Sequence, residues 1–427
     1  MRARRGTAVA DAAIVRHSAL RSSLGLIVGK VAQTGSGFAF WVVAAHATAD
    51  REIGLTAAAV SAVMICTQLA VLGAGSAVIV AVGRGEPPAR VLDGAFAIVG
   101  LAGTALALGY LVLQSALAPD TSSESVLFWL TFLVAAVAGT VAIVLDQALV
   151  ALGRGATATA RYILGGGVSL AAAALVAWQA QGAYADVLMA CWALGSITAC
   201  AVGAVQLRRL VGYRPRPSFR SARGLPLLSL GIPNQLLTLT ERLPGLVLPL
   251  LLAHMVAPEA AAYWYPAWMM AWAAYTAPML MGIVQFSEGV REPSRLVSTT
   301  WASLRWSLAV GGLASVVLML FAHPLLTLLG ERYADSSAGA LRWLAAGVVA
   351  YAVLQSYNAV CRARGRYAEA IAVGLVLGIA LCTAAVWAAD RGATAMALAW
   401  LVVLSIGAVA IGLRLIAVLH RLTKEAR

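Results

Sequence analysis

Long, continuous apolar runs follow one another along the chain, separated by short gaps that carry arginine, proline and glycine. Windows long enough to cross a hydrocarbon core of about 30 Å as helix, roughly 20 residues each, fall at 23–45, 54–82, 91–115, 126–150, 160–180 and 187–207. Six more follow at 227–254, 259–284, 299–321, 338–361, 368–389 and 394–418, for twelve in all. None shows the period of two expected of barrel strands, and helix is the open-chain structure that satisfies its own backbone polar groups in lipid. The pattern therefore predicts an all-α polytopic membrane protein with twelve transmembrane helices.

Basic residues collect in cytoplasmic loops. When alternate gaps are assigned to one side, starting with the N-terminus, 25 of the 31 arginines and lysines fall on that side and four on the other. Both termini are thus expected in the cytoplasm of a bacterial cell, with the chain embedded in its cell membrane. The gap at 208–226, RRLVGYRPRPSFRSARGLP, is the one interior stretch that reads as a linker. It reads as a topology determinant that also attracts anionic headgroups, or as a tether between halves that move. The resulting organisation is an N-terminal segment 1–22, an N-lobe 23–207 with helices 1–6, the basic linker 208–226, a C-lobe 227–418 with helices 7–12, and a tail 419–427.

Weak self-similarity relates the halves. Ala44-Ala45-His46 ends the first span and Leu252-Ala253-His254 the seventh, while Ser23-Leu24-Gly25 and Ser229-Leu230-Gly231 lie near their starts. Gly153-Arg154-Gly155 and Arg364-Gly365-Arg366 follow the fourth and tenth spans. With six spans in each half, the two six-helix lobes are related by a parallel repeat, an arrangement found in transporters.

Composition removes several functional classes. Hydrophobic residues make up 61% of the 427-residue chain and charged residues 11%, too few to cover a water-soluble globule. The net charge of +13 suggests an anionic partner such as nucleic acid, but topology accounts for nearly all of it, so no nucleic acid is expected. Cys66, Cys191, Cys200, Cys361 and Cys382 are scattered, without metal-ligand spacing, and read as small packing residues. Ala45-His46-Ala47 resembles a signal-peptidase site, yet the preceding run is about twice the length of a signal-peptide core and contains Lys30; it reads as an uncleaved first span.

Ionisable residues inside spans normally face a bundle interior or a wet cavity. In the first span Lys30, Gln33 and Thr34 share a face with Ser23 and Gly37; in the seventh, Asn234, Thr238, Glu241 and Arg242 do the same, among Pro233, Pro244 and Pro249. These seven polar residues are the candidate substrate-binding positions. Lys30 either faces the cavity or snorkels toward the headgroups. Arg242, at mid-span, faces a cavity or pairs with Glu241 or a carbonyl freed by a proline. Asp146, near the end of the fourth span, reads as an interfacial carboxylate. No Walker motif, zinc cluster or serine-nucleophile motif occurs, so neither a catalytic residue nor a cofactor is expected. The driving force must come from an H+ or Na+ gradient, the membrane potential, or consumption of the product.

Segment 325–333, LLTLLGERY, followed by Leu341-Arg342-Trp343-Leu344 and by RARGRY at 362–367, resembles polysaccharide flippases of the O-antigen and capsule type. These belong to the multidrug/oligosaccharidyl-lipid/polysaccharide flippase superfamily. Lys30, Ile53-Gly54-Leu55 and Leu72-Gly73 extend the resemblance. It implies two lobes around a cavity lined by the first and seventh helices. The cargo it implies is an undecaprenyl-pyrophosphate-linked oligosaccharide, flipped from inner to outer leaflet for exopolysaccharide or capsule biosynthesis. Membrane lipids, a glycan polymerase and glycosyltransferases of the same pathway are the partners it implies. Lys30 and Arg242 match the pyrophosphate-binding role by location, with Glu241 offsetting part of the charge of Arg242. The alternatives are an ion-coupled multidrug exporter of the same superfamily and a membrane-embedded polymerase or ligase. The sixteen-residue outer gap 322–337 is small for an enzyme of the latter kind.

Overall fold

The computed structural model describes Gly29 and residues 32–117, 125–152, 154–179, 184–222 and 231–425. Among these, every regular element is helical. Lys30, the segment 1–22 and Ser229-Leu230 lie outside the described residues. The helices are α1 (32–47), α2 (Asp50–Ala70), α3 (Ala74–Gly83), α4 (Pro88–Leu117), α5 (Val126–Ala151), α6 (Ala158–Gln179), α7 (Ala185–Val211) and the short α8 (Phe219–Ala222). They continue with α9 (Ile232–Met255), α10 (Pro258–Arg291), α11 (Leu296–Trp306), α12 (Gly312–Leu320), α13 (Ala322–Thr327), α14 (Glu331–Ala346), α15 (Val348–Ala363), α16 (Tyr367–Trp387) and α17 (Ala393–Glu425).

Ten of the described helical stretches are long and apolar enough to span a bilayer, and α14 with α15 supplies an eleventh as a pair bent by 40°. The chain is a multi-pass membrane protein. The described part of α1, residues 32–47, falls in the later part of the expected first span. Three predicted spans are not single regular helices. The second breaks at Leu72 and Gly73, both with positive φ (48° and 76°), so α2 and α3 are separate pieces. The ninth passes through a π-helical stretch at Ser307–Gly311, and the tenth bends at Gly347.

The described residues fall into two compact units. The first takes in those up to Val43 together with Val63–Ile232; the second takes in Ala44–Ala62 and Pro233 onward. The division falls inside α2.

In the first unit, Val78, Leu92, Val144, Leu145, Leu149 and Leu207 form a buried core. Gly212, at φ +65°, ends α7, and the following N–H of Tyr213 returns to the Leu207 carbonyl. This turn directs the first part of the basic linker onto α4. The Tyr213 hydroxyl donates to Asp93 Oδ1 at 2.8 Å, the Arg216 N–H donates to the same oxygen at 2.9 Å, and the Ser218 N–H reaches the Asp93 carbonyl at 3.1 Å. Burial, and next the bond to Asp93, push the Tyr213 phenol up from its ordinary pKa. The stretch 213–218 is therefore a strap fixed to the first unit rather than a free tether.

In the second unit the start of α2 is fastened at Asp50. Tyr263 donates to Asp50 Oδ2 at 2.8 Å and Tyr333 to Oδ1 at 3.0 Å, while Arg332 Nε lies 3.2 Å from Oδ1. Arg332 also donates to the Ala45 carbonyl at 3.0 Å, which satisfies an acceptor near the C-terminal end of α1. Gly54 lies against the Pro258 carbonyl, so close that a Cβ there would overlap its oxygen. Gly374 and Gly378 bring α16 onto Thr240 and Pro244 of α9, the close packing expected of a small-xxx-small pair.

Candidate functional site

The seven candidate residues divide between the units. Gln33 and Thr34 belong to the first, where both are exposed on α1. A Cβ added at Gly35 or Gly37 beside them would meet open space. Lys30 lies outside the described residues. Asn234, Thr238, Glu241 and Arg242 lie along α9 in the second unit, and their roles separate there.

Thr238 returns its hydroxyl to the Asn234 carbonyl at 2.9 Å, a bond within its own helix. Glu241 turns inward toward α15. Its Oε1 accepts from Asn358 Nδ2 at 2.8 Å and its Oε2 from Arg362 at 2.9 Å; the Glu241 and Arg362 side chains are 6% and 8% exposed. Arg242 does not pair with Glu241, and its polar contact among the described residues is the Met279 sulfur at 3.9 Å. Its buried Nε has no hydrogen-bond partner. The expected offset of Arg242 by Glu241 is thus corrected: neighbours on a helix point about 100° apart, and Arg362 claims the carboxylate from another helix. Nothing in the sequence sets Arg362 apart from the other arginines of RARGRY at 362–367.

Beside Glu241 a narrow crevice opens, lined by Trp268, Trp272, Tyr275, Tyr351 and Trp400, with about 30 Å³ open to the centres of water molecules. That is room for one or two waters. Trp264, Trp268, Trp272 and Tyr275 recur on one face of α10, and Trp400 of α17 meets Trp268 edge-on at 5.1 Å. Tyr275 and Tyr351 approach to 4.8 Å between ring centres. The helical spacing of these aromatics is visible in the sequence, though it does not separate a lined crevice from a solid core. On α15, Tyr351, Gln355, Asn358 and Arg362 form a buried polar row at spacings of four, three and four. Asn358 Oδ1 and Arg362 Nε have no hydrogen-bond partner. Orphaned polar atoms of this kind beside a crevice mark a place for water or a polar ligand group.

The first unit holds a second buried ion pair. Arg161, on the first turn of α6 and 1% exposed, bonds the Asp146 carboxylate and donates to the Ala142 carbonyl at 3.0 Å. Asp146 is therefore not simply an interfacial carboxylate.

No protein-family model matches the chain, and no curated protein matches it. Solved structures do. An inward-facing multidrug resistance MATE family transporter of the MOP superfamily is 14% identical, with a TM-score of 0.71, over 93% of this chain and 99% of that one. An outward-facing structure of such a transporter is 15% identical, with a TM-score of 0.69, over 95% and 96%. A mutant of the Vibrio cholerae MATE transporter VcmN is 18% identical, with a TM-score of 0.66, over 96% and 98%. At these identities the likeness is one of fold. The chain has the all-helical polytopic fold of MATE transporters, which have twelve helices in two lobes.

Proposed function

We propose that this chain is a membrane transporter that works by alternating access and exports amphipathic small molecules, as a multidrug exporter does, rather than an enzyme. The observation that carries the reading is the likeness, over nearly the whole chain, to one fold solved both inward-facing and outward-facing. In this reading the lobes are 23–207 and 227–418, joined by 208–226, and both termini face the cytoplasm of a bacterial cell. An H+ gradient, a Na+ gradient or the membrane potential drives the cycle.

A second reading keeps the sequence resemblance: flipping of an undecaprenyl-pyrophosphate-linked oligosaccharide for surface polysaccharide. Arg242, a partly buried guanidinium without an acidic partner among the described residues, favours it. In either reading Lys30, Gln33, Thr34, Asn234, Thr238, Glu241 and Arg242 are the residues proposed to face or frame the cargo.

Expression in a bacterial host stripped of its own efflux pumps tests the first reading. Raised inhibitory concentrations for several unrelated amphiphilic drugs are expected. No change across the panel, combined with loss of surface glycan on deleting the gene from its native host, would move the assignment to the second.

A further inference from the structure

Glu241 lies more than two turns from either end of α9, so its carboxylate stands at depth in a span. A carboxylate there is where a small metal cation would be expected to bind, provided that its lone pairs are free. Here each oxygen already accepts a hydrogen bond, one of them from a cation. Asn358 and Arg362, one turn apart on α15, present an amide and a guanidinium to the two oxygens at 2.8 and 2.9 Å. The guanidinium offers directional, charge-assisted donors that match a carboxylate, and it is held in place by its own helix. A mobile cation would have to displace it. The surroundings oppose such an exchange, because Arg242, next to Glu241 on α9, adds a second guanidinium whose polar contact among the described residues is the Met279 sulfur. Two guanidiniums and one carboxylate thus occupy this part of α9 and α15, and the excess positive charge disfavours a further cation.

We propose that Arg362 is a tethered counter-cation: it takes the place that Na+ or K+ would occupy at Glu241, so this carboxylate holds no alkali cation. Arg362 acts through Glu241 and is a positioning residue that sets cation specificity. The consequence for transport, cargo movement that needs no Na+ at this carboxylate, rests on the alternating-access reading. The statement about binding does not.

The test uses the full chain purified in detergent, with thermal unfolding compared in NaCl, KCl and choline chloride at equal ionic strength. Wild type is expected to melt at the same temperature in all three salts. Arg362→Ala, whose carboxylate is left bare, is expected to melt higher in NaCl or KCl than in choline chloride, and to bind 22Na+ saturably. Glu241→Gln/Arg362→Gln, which removes both charges together, is expected to lose the salt preference and the 22Na+ binding. Saturable 22Na+ binding by wild type that vanishes in the double variant would overturn the proposal. So would an Arg362→Ala protein that melts identically in all three salts. Failure of Arg362→Ala to fold even in NaCl, while the double variant folds, would overturn it too, since the free cation then cannot stand in for the tethered one. Absence of drug export by wild type would sink the transporter reading and leave these binding results untouched.

Discussion

Arg161 reaches back from the first turn of α6 to the carboxylate of Asp146 on α5, and the pair is enclosed within the first unit although each residue lies close to a helix end. The guanidinium is 1% exposed and also donates to the Ala142 carbonyl. Removing one member strands the other's charge, which typically costs about 3–5 kcal/mol. Arg161→Leu should therefore lower the melting temperature of the purified protein sharply, whereas Arg161→Leu/Asp146→Leu should recover much of the loss. A double variant no more stable than the single one would show that the pair is not coupled.

The Asp50 fastening of α2 gives a local prediction. Tyr333→Phe removes one hydrogen bond to a carboxylate, worth about 1.5–3 kcal/mol, and Asp50→Ala leaves two hydroxyls without their acceptor and removes the ion-pair partner of Arg332. Amide hydrogen exchange over residues 44–62 should accelerate in the order wild type, Tyr333→Phe, Asp50→Ala. Unchanged exchange in Asp50→Ala would mean that packing alone holds the segment.

Two glycine substitutions should act with opposite signs. At Gly54 a Cβ overlaps the Pro258 carbonyl, which is backbone and cannot rotate away, so Gly54→Ala should destabilise by at least about 1–3 kcal/mol. At Gly37, inside α1 and facing open space, alanine should be neutral or stabilise by up to about 1 kcal/mol through helix propensity. Thermal unfolding of the two variants measures both. Because Gly37 shares its face with Gln33 and Thr34, Gly37→Trp should reduce transport while leaving the melting temperature nearly unchanged.

The strap at 213–218 depends on one carboxylate. Asp93→Ala leaves the Tyr213 hydroxyl and the Arg216 N–H without their acceptor. Limited trypsin digestion should then cut after Arg220 faster than in wild type, while Tyr213→Phe should show a smaller effect. Equal cutting rates would place the restraint elsewhere, in the packing of Tyr213 against Phe96 at 6.1 Å.

Much of the fold is legible along the chain because span length and apolar content are local properties. Ten helices and a bent pair fall where continuous apolar runs fall. The breaks in three spans are harder to read. Leu72-Gly73 looks like an ordinary span interior until the positive φ angles appear, and the approach of Gly73 to Gly231, within the first unit, supplies the reason: a side chain at either position would collide with the other's backbone. Gly347 likewise sits in an apolar run, and nothing local distinguishes a bend there from a straight helix.

By itself the sequence determined that this is an all-helical membrane chain with polar stripes on the helices that begin its two halves, because burying apolar length in lipid leaves helix as the solution. It placed Glu241 beside Arg242 on α9 and inside a span. Only the tertiary structure decided that Glu241 answers to Arg362 and Asn358, more than a hundred positions away, and that Arg161 and Asp146 are partners rather than interfacial charges. Charge pairing in a medium of low dielectric follows distance in space, and residues adjacent on a helix diverge while helices far apart in sequence converge.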